Sequence, residues 1–174
     1  MGLVLATPLR TAHAADQGYI SLITGMVFPS GSSAALTIGV AGTYKLSPIW
    51  GVGLFYQNYS VSAQTTSSTA SASVTTTKNL FGGELNIFFE GSLKGFIIGT
   101  RMGLMSSSAQ ADASDTSSSI TFGRNSTNFF IAPKLGYDVL LGRFSVGGEF
   151  SYGFGFDGYT PQVLSILAAG KFWF

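Results

Sequence analysis

Residues 144–156 read Phe-Ser-Val-Gly-Gly-Glu-Phe-Ser-Tyr-Gly-Phe-Gly-Phe, and their alternation decides the fold. Phe144, Val146, Phe150, Tyr152, Phe154 and Phe156 share one parity, interrupted only by Gly148. Ser145, Gly147, Glu149, Ser151, Gly153 and Gly155 share the other. Successive side chains of a β-strand point to opposite faces. One face is therefore bulky and apolar, and the other is small or polar with a carboxylate at its middle. A soluble barrel or sandwich turns its bulky face inward, whereas a membrane barrel turns it toward lipid.

Composition separates these two cases. The chain has 174 residues, the length of one domain. It is 45% hydrophobic and 10% charged, against roughly 25% charged in soluble domains. Its mean hydropathy is +0.35. No run reaches the roughly 20 apolar residues of a spanning helix. In lipid only helices and closed barrels satisfy every backbone group, so a hydrophobic chain without a hydrophobic helix points to a β-barrel.

Eight alternating segments follow, at about residues 19–28, 35–45, 50–63, 78–90, 94–107, 127–140, 144–156 and 162–174. Pro29-Ser30-Gly31-Ser32, Ser47-Pro48, Gly91-Ser92 and Gly142-Arg143 supply turn chemistry between them. The connections after the second, fourth and sixth segments are short. Those after the third and fifth, about residues 64–77 and 108–126, are long and rich in Ser, Thr and Ala, and read as mobile extracellular loops. Short turns at one end and long loops at the other are the outer-membrane pattern, with both termini at the short-turn, periplasmic end. The expected fold is all-β: an eight-stranded antiparallel up-and-down transmembrane β-barrel. Tyr44, Trp50, Phe89, Phe96, Tyr137, Phe144, Phe172 and Phe174 fall near the short-turn end, and Phe28, Tyr56, Phe81, Phe129, Phe154 and Phe156 near the other. Two such girdles flank an apolar band at membrane interfaces.

With the bulky parity toward lipid, Glu84, Arg101, Lys134, Asp138, Glu149 and Lys171 face the bore, three acids against three bases, a neutral set. The opposite orientation would pack more than twenty large apolar side chains inside. A barrel of eight strands holds only its own side chains or one small ligand. Buried charges must be paired or solvated, so the six residues read either as a static ion-pair plug or as a gate that exchanges partners to pass ions. The narrow bore favours the plug.

The N-terminus reads as the tail of a secretory signal. Residues 1–9 are mostly apolar, and Ala12-His13-Ala14 fits a small-x-small cleavage site after Ala14, leaving residues 15–174 as the barrel. A basic region before the apolar core is missing, which points to an earlier start. Without Arg10, eight basic residues balance eight acidic ones, which argues against nucleic-acid binding by bulk charge.

Catalytic chemistry is poorly supplied. His13 is the only histidine and belongs to the expected signal, so His-dependent acid–base or triad catalysis has no base. The chain has no cysteine, which excludes disulfides and thiolate metal sites. Asp112 and Asp115 are too few for a calcium site. Gly51-Val52-Gly53 lies inside a strand rather than in a phosphate loop. No enzyme activity, cofactor or metal is expected.

The stretch Tyr44-Lys45-Leu46-Ser47-Pro48-Ile49-Trp50-Gly51-Val52-Gly53 resembles the strand–turn–strand of small outer-membrane β-barrel proteins of the OmpA, OmpX and OmpW type. The end, Gly170-Lys171-Phe172-Trp173-Phe174, is similar to the C-terminal assembly signal of such barrels, with Phe172 and Phe174 at its aromatic positions and Ala169 where the family usually has Gly. The resemblance implies a bacterial outer-membrane location and insertion by the barrel assembly machinery through Phe172 and Phe174. Outer-membrane lipids and lipopolysaccharide are the implied surroundings of a monomer. The function expected is non-enzymatic, residing in the barrel and its surface loops. The alternatives are a narrow pore or transporter for small or hydrophobic solutes, and a secreted, soluble lipocalin-like binder.

Overall fold

The computed structural model describes residues 17–66, 70–89, 95–115, 119–156 and 162–174, with backbone alone for residues 65–66, 70–71, 113–115 and 119–122. The expected signal segment, its cleavage site after Ala14 and the Gly91-Ser92 turn lie outside the described residues.

Eight strands form: β1 (Gly18–Pro29), β2 (Ala35–Lys45), β3 (Trp50–Thr66), β4 (Ala70–Phe88), β5 (Phe96–Asp115), β6 (Ser119–Leu141), β7 (Phe144–Gly155) and β8 (Val163–Trp173). Each pairs antiparallel with its neighbours in sequence, and β8 returns to β1 with Tyr19 opposite Trp173, closing the barrel. Gln17 N donates to Phe174 O at 2.6 Å beside this seam. The turns form where their residue types dictate. Ser47 Oγ accepts from Trp50 N at 3.0 Å, and Gly142 takes φ 71°, a left-handed value that favours glycine.

Two features depart from the sequence expectation. The segments 64–77 and 108–126, expected as loops, are largely strand. The β3–β4 ladder continues to Thr66 opposite Ser71, and the β5–β6 ladder to Ser114 opposite Ser119. Strand β6 reaches 23 residues where β2 and β8 have 11. The excess corresponds to roughly 35–40 Å of extra strand before tilt. β2 releases β3 after Tyr59, and β7 reaches β6 only at Phe130. Strands β3–β6 therefore rise as a four-stranded wall above one side of the barrel.

The missed signal was a period of two within a low-complexity composition. Ala109, Ala111 and Ala113 alternate with Ser108, Gln110 and Asp112, while Ala72 and Val74 alternate with Ser71, Ser73 and Thr75. Cross-strand hydroxyl contacts knit one face, Ser60 with Thr77 at 3.0 Å and Ser62 with Thr75 at 3.1 Å.

The second departure is in the wall of the barrel itself. The β6–β7 ladder pairs Phe130 with Gly155 and Ile131 with Phe154, then resumes only at Lys134 with Ser151. Pro133, which has no N–H to donate, lies in this gap.

Candidate functional site

Side-chain orientation follows the strand parity. Leu36 is 75% and Leu54 73% exposed, and Ile20, Ile38, Val146, Phe150 and Ile166 also project outward. Aromatic pairs edge this band: Phe144 with Phe172 and Phe96 with Tyr137 near the short turns, Phe129 with Phe156 near the wall. Tyr56 donates to Asn79 Oδ1 at 2.7 Å on the outer surface, where the apolar band gives way to polar residues. Phe89, expected in the lower girdle, falls just beyond β4 and is partly buried. Trp173 faces inward between the outward Phe172 and Phe174.

The bore brings the six expected charged residues into one chain of contacts. Glu84 Oε2 accepts from Lys134 Nζ at 2.9 Å and from Arg101 Nε at 3.3 Å. Arg101 Nη2 donates to Glu149 Oε2 at 2.7 Å. Lys171 lies 3.4 Å from Glu149 Oε1 and donates to Asp138 Oδ2 at 2.9 Å. All six side chains are buried. Glu84 Oε1 is further held by Tyr19, Thr43 and Asn86. The Arg101 guanidinium lies 5.4 Å from the Phe55 ring centre. Every strand thus contributes a group that touches the network: Tyr19 of β1, Thr43 of β2, Phe55 of β3, and the charged residues of β4 to β8.

Glycine makes the room. A Cβ on Gly147 would run into Asp138 Oδ1 and the Tyr137 carbonyl, and one on Gly99 would lie 2.6 Å from Asn86 Oδ1 and 3.0 Å from Lys134 Cε. The small residues read on the inward parity are the space that the long charged chains occupy.

Sequence reading missed two properties of the bore. It is not lined by small and polar residues alone. Tyr19, Phe88, Ile97 and Trp173 pack below the ion pairs, Ile23, Phe55, Met105, Phe130 and Leu167 pack above, and Val27, Ala35, Tyr59 and Val163 close the end beneath the wall. Gly51, on the inward parity of β3, leaves room for one of them: a Cβ there would lie 2.8 Å from the Phe88 ring. Nor are the six expected residues the only cations and acids at the bore. Lys78 is buried on the inward face of β4, and Lys45 lies over the Phe88 and Trp173 rings at 5.1 and 4.9 Å. Lys45 and Lys78 are terminal residues of the expected segments, where parity is hardest to assign.

A closed antiparallel barrel with an apolar exterior and a charged, packed interior defines a transmembrane β-barrel of the class found in bacterial outer membranes. The soluble lipocalin-like alternative fails on this orientation, because it would leave the whole apolar band in water. No protein-family model matches the chain, and no curated protein matches it. Solved structures do. A major outer membrane protein from Thermus thermophilus is similar at TM-score 0.57 and 11% identity, over 90% of this chain and 99% of that one. Ail, the attachment invasion locus protein of Yersinia pestis, is similar at TM-score 0.54 and 12% identity in its complex with the heparin analogue sucrose octasulfate, over 91% and 99%. A second structure of Ail gives 0.50 and 12%, over 90% and 96%. At these identities the likeness is one of fold.

Proposed function

We propose that this chain is a non-enzymatic outer-membrane protein whose barrel is a sealed anchor and whose working surface is the four-stranded wall of β3–β6. The observation that carries this reading is the bore: a continuous ion-pair chain touched by all eight strands, with apolar layers packed below and above it. Such an interior resists opening, because leaving one charge of a buried pair uncompensated costs about 3–5 kcal/mol. The absence of histidine outside the expected signal supports a role without acid–base catalysis. On this reading the barrel stands as a monomer among outer-membrane lipids and lipopolysaccharide. Phe172 and Phe174 present the terminal aromatics to the assembly machinery.

Recordings in planar bilayers test it. Silent membranes support the sealed anchor. Discrete openings that vanish when Arg101 or Glu84 is replaced would overturn it in favour of a narrow transporter. One observation favours that second reading: the cavity above the ion pairs is lined both by inward Ala132 and by outward Phe154, at the gap in the β6–β7 ladder.

A further inference from the structure

We propose that the wall joins two copies of this protein held in opposing membranes, through antiparallel pairing of β6 with β6. The inference rests on the wall being the working surface and names its partner as a second copy of this chain.

Strand β6 starts at Ser119, but β7 first meets it at Phe130. From Ser119 to Asn128, β6 pairs with β5 on one side and with no described strand on the other. Phe129 O accepts from Phe156 N at 3.3 Å on the β7 side. Alternate residues of a strand turn their N–H and C=O to the same side. Those of Ser119, Thr121, Gly123, Asn125 and Thr127 therefore point to the open edge. Such an edge is a template for another strand, and native proteins guard theirs with Lys, Pro or bulges. This stretch has no Lys and no Pro, and Arg124 is its one charged residue. Its ladder to β5 runs without a bulge.

Direction selects the partner. All copies in one membrane run β6 the same way, and no rotation about the membrane normal makes two such strands antiparallel. A copy in a facing membrane is inverted, so its β6 meets this one antiparallel. The other open edge of the wall, Ser60–Thr66 of β3, is shorter. Joining it to a neighbour's β6 in the same membrane would repeat the walls every ~19 Å, four strand spacings. Two such barrels side by side need about 25 Å, their backbone diameter plus one sheet-to-sheet spacing.

Register follows from the same groups. A pairing centred on Gly123 sets Thr121 opposite Asn125 and Ser119 opposite Thr127. The open N–H and C=O groups of these residues are then all satisfied, by roughly ten hydrogen bonds. Arg124 falls opposite Phe122. A pairing centred on Arg124 would set like charges face to face, which is destabilising. One centred on Phe122 would shorten the paired run to Ser119–Asn125. The favoured register holds the two Phe129 levels about 40 Å apart before tilt.

The test folds the barrel into two populations of phospholipid vesicles, free of lipopolysaccharide and carrying different fluorescent lipids. Clustering is followed by energy transfer and light scattering. The two populations are expected to cluster when mixed. Asn125→Pro removes a donor from the open edge and leaves the β5 ladder, which uses the alternate residues, in place. It is expected to slow clustering roughly tenfold. Heat-modifiable gel migration confirms that each variant is folded. Gly123→Cys, in a chain with no other cysteine, is expected to give disulfide-linked dimers only where vesicles cluster. Dispersed vesicles bearing folded barrels, clustering undiminished by Asn125→Pro, or Gly123→Cys dimers formed equally in isolated vesicles would each overturn the proposal. None of these results would open the sealed anchor, which the bilayer recordings test separately.

Discussion

Lys134 Nζ and Glu84 Oε2 meet at 2.9 Å although β5 stands between their strands. The contact therefore runs through the bore rather than along the sheet. Glu84 also receives Arg101, Tyr19, Thr43 and Asn86, which makes it the most connected acid of the network. Glu84→Ala should strand two cations at once and cost about 3–5 kcal/mol. Urea unfolding of the folded barrel followed by tryptophan fluorescence checks this. A loss under about 1 kcal/mol, the range of exposed pairs, would mean that the network is solvated rather than sealed.

Arg101 and Glu149 should show energetic coupling beyond their separate effects. In a double-mutant cycle of Arg101→Met and Glu149→Gln, the double variant is expected to be less destabilised than the two single losses added together, by about 0.5–3 kcal/mol. Strict additivity would show that the 2.7 Å contact carries no coupling.

Two glycine substitutions should separate space from conformation. Gly147→Ala drives a methyl group into Asp138 Oδ1 and displaces the acid from Lys171. It should cost about 1–3 kcal/mol as overpacking. Gly170 faces outward with nothing within 4 Å, and Gly170→Ala should be nearly silent. Equal midpoints for the two variants would contradict the packing described for the bore.

The outward band predicts a depth dependence. Leu54→Arg or Phe150→Arg near mid-span should destabilise by about 2–4 kcal/mol, and Asn79→Arg near the wall by about 0–1 kcal/mol. Folding titrations in lipid vesicles give these values. A uniform cost along the barrel would misplace the band.

The wall can be tested by cross-linking, since the chain has no cysteine of its own. Ser60 and Thr77 hydroxyls lie 3.0 Å apart across β3 and β4. A Ser60→Cys, Thr77→Cys variant should form its disulfide rapidly on mild oxidation, while Ser60→Cys, Thr75→Cys, two residues out of register, should lag. Similar rates for both would show that the ladder is not fixed there.

Much of this fold was legible because membrane strands carry a coarse signal. Phe144 to Phe156 alternate over the whole of β7, and the six charged bore residues keep one parity with their strand neighbours. The wall was harder to read. Ser, Thr and Ala suit either solvated loops or strands with both faces in water, and Val74, Ile120 and Phe122 are too few bulky residues to set an alternation. Phe55, Phe130 and Trp173 were hidden for a different reason: large residues occur on both parities of their strands, so bulk alone does not mark the lipid face. Which acid meets which base was likewise unreadable, because the pairs span strands that are not adjacent.

The missing rungs at Pro133 give the cylinder a line of least resistance. Under pulling force, or as denaturant rises, β6 and β7 should part there before any other staves separate. The rupture would begin two pairs from the upper end of the β6–β7 ladder, where two rungs are absent, and run down toward the short turns.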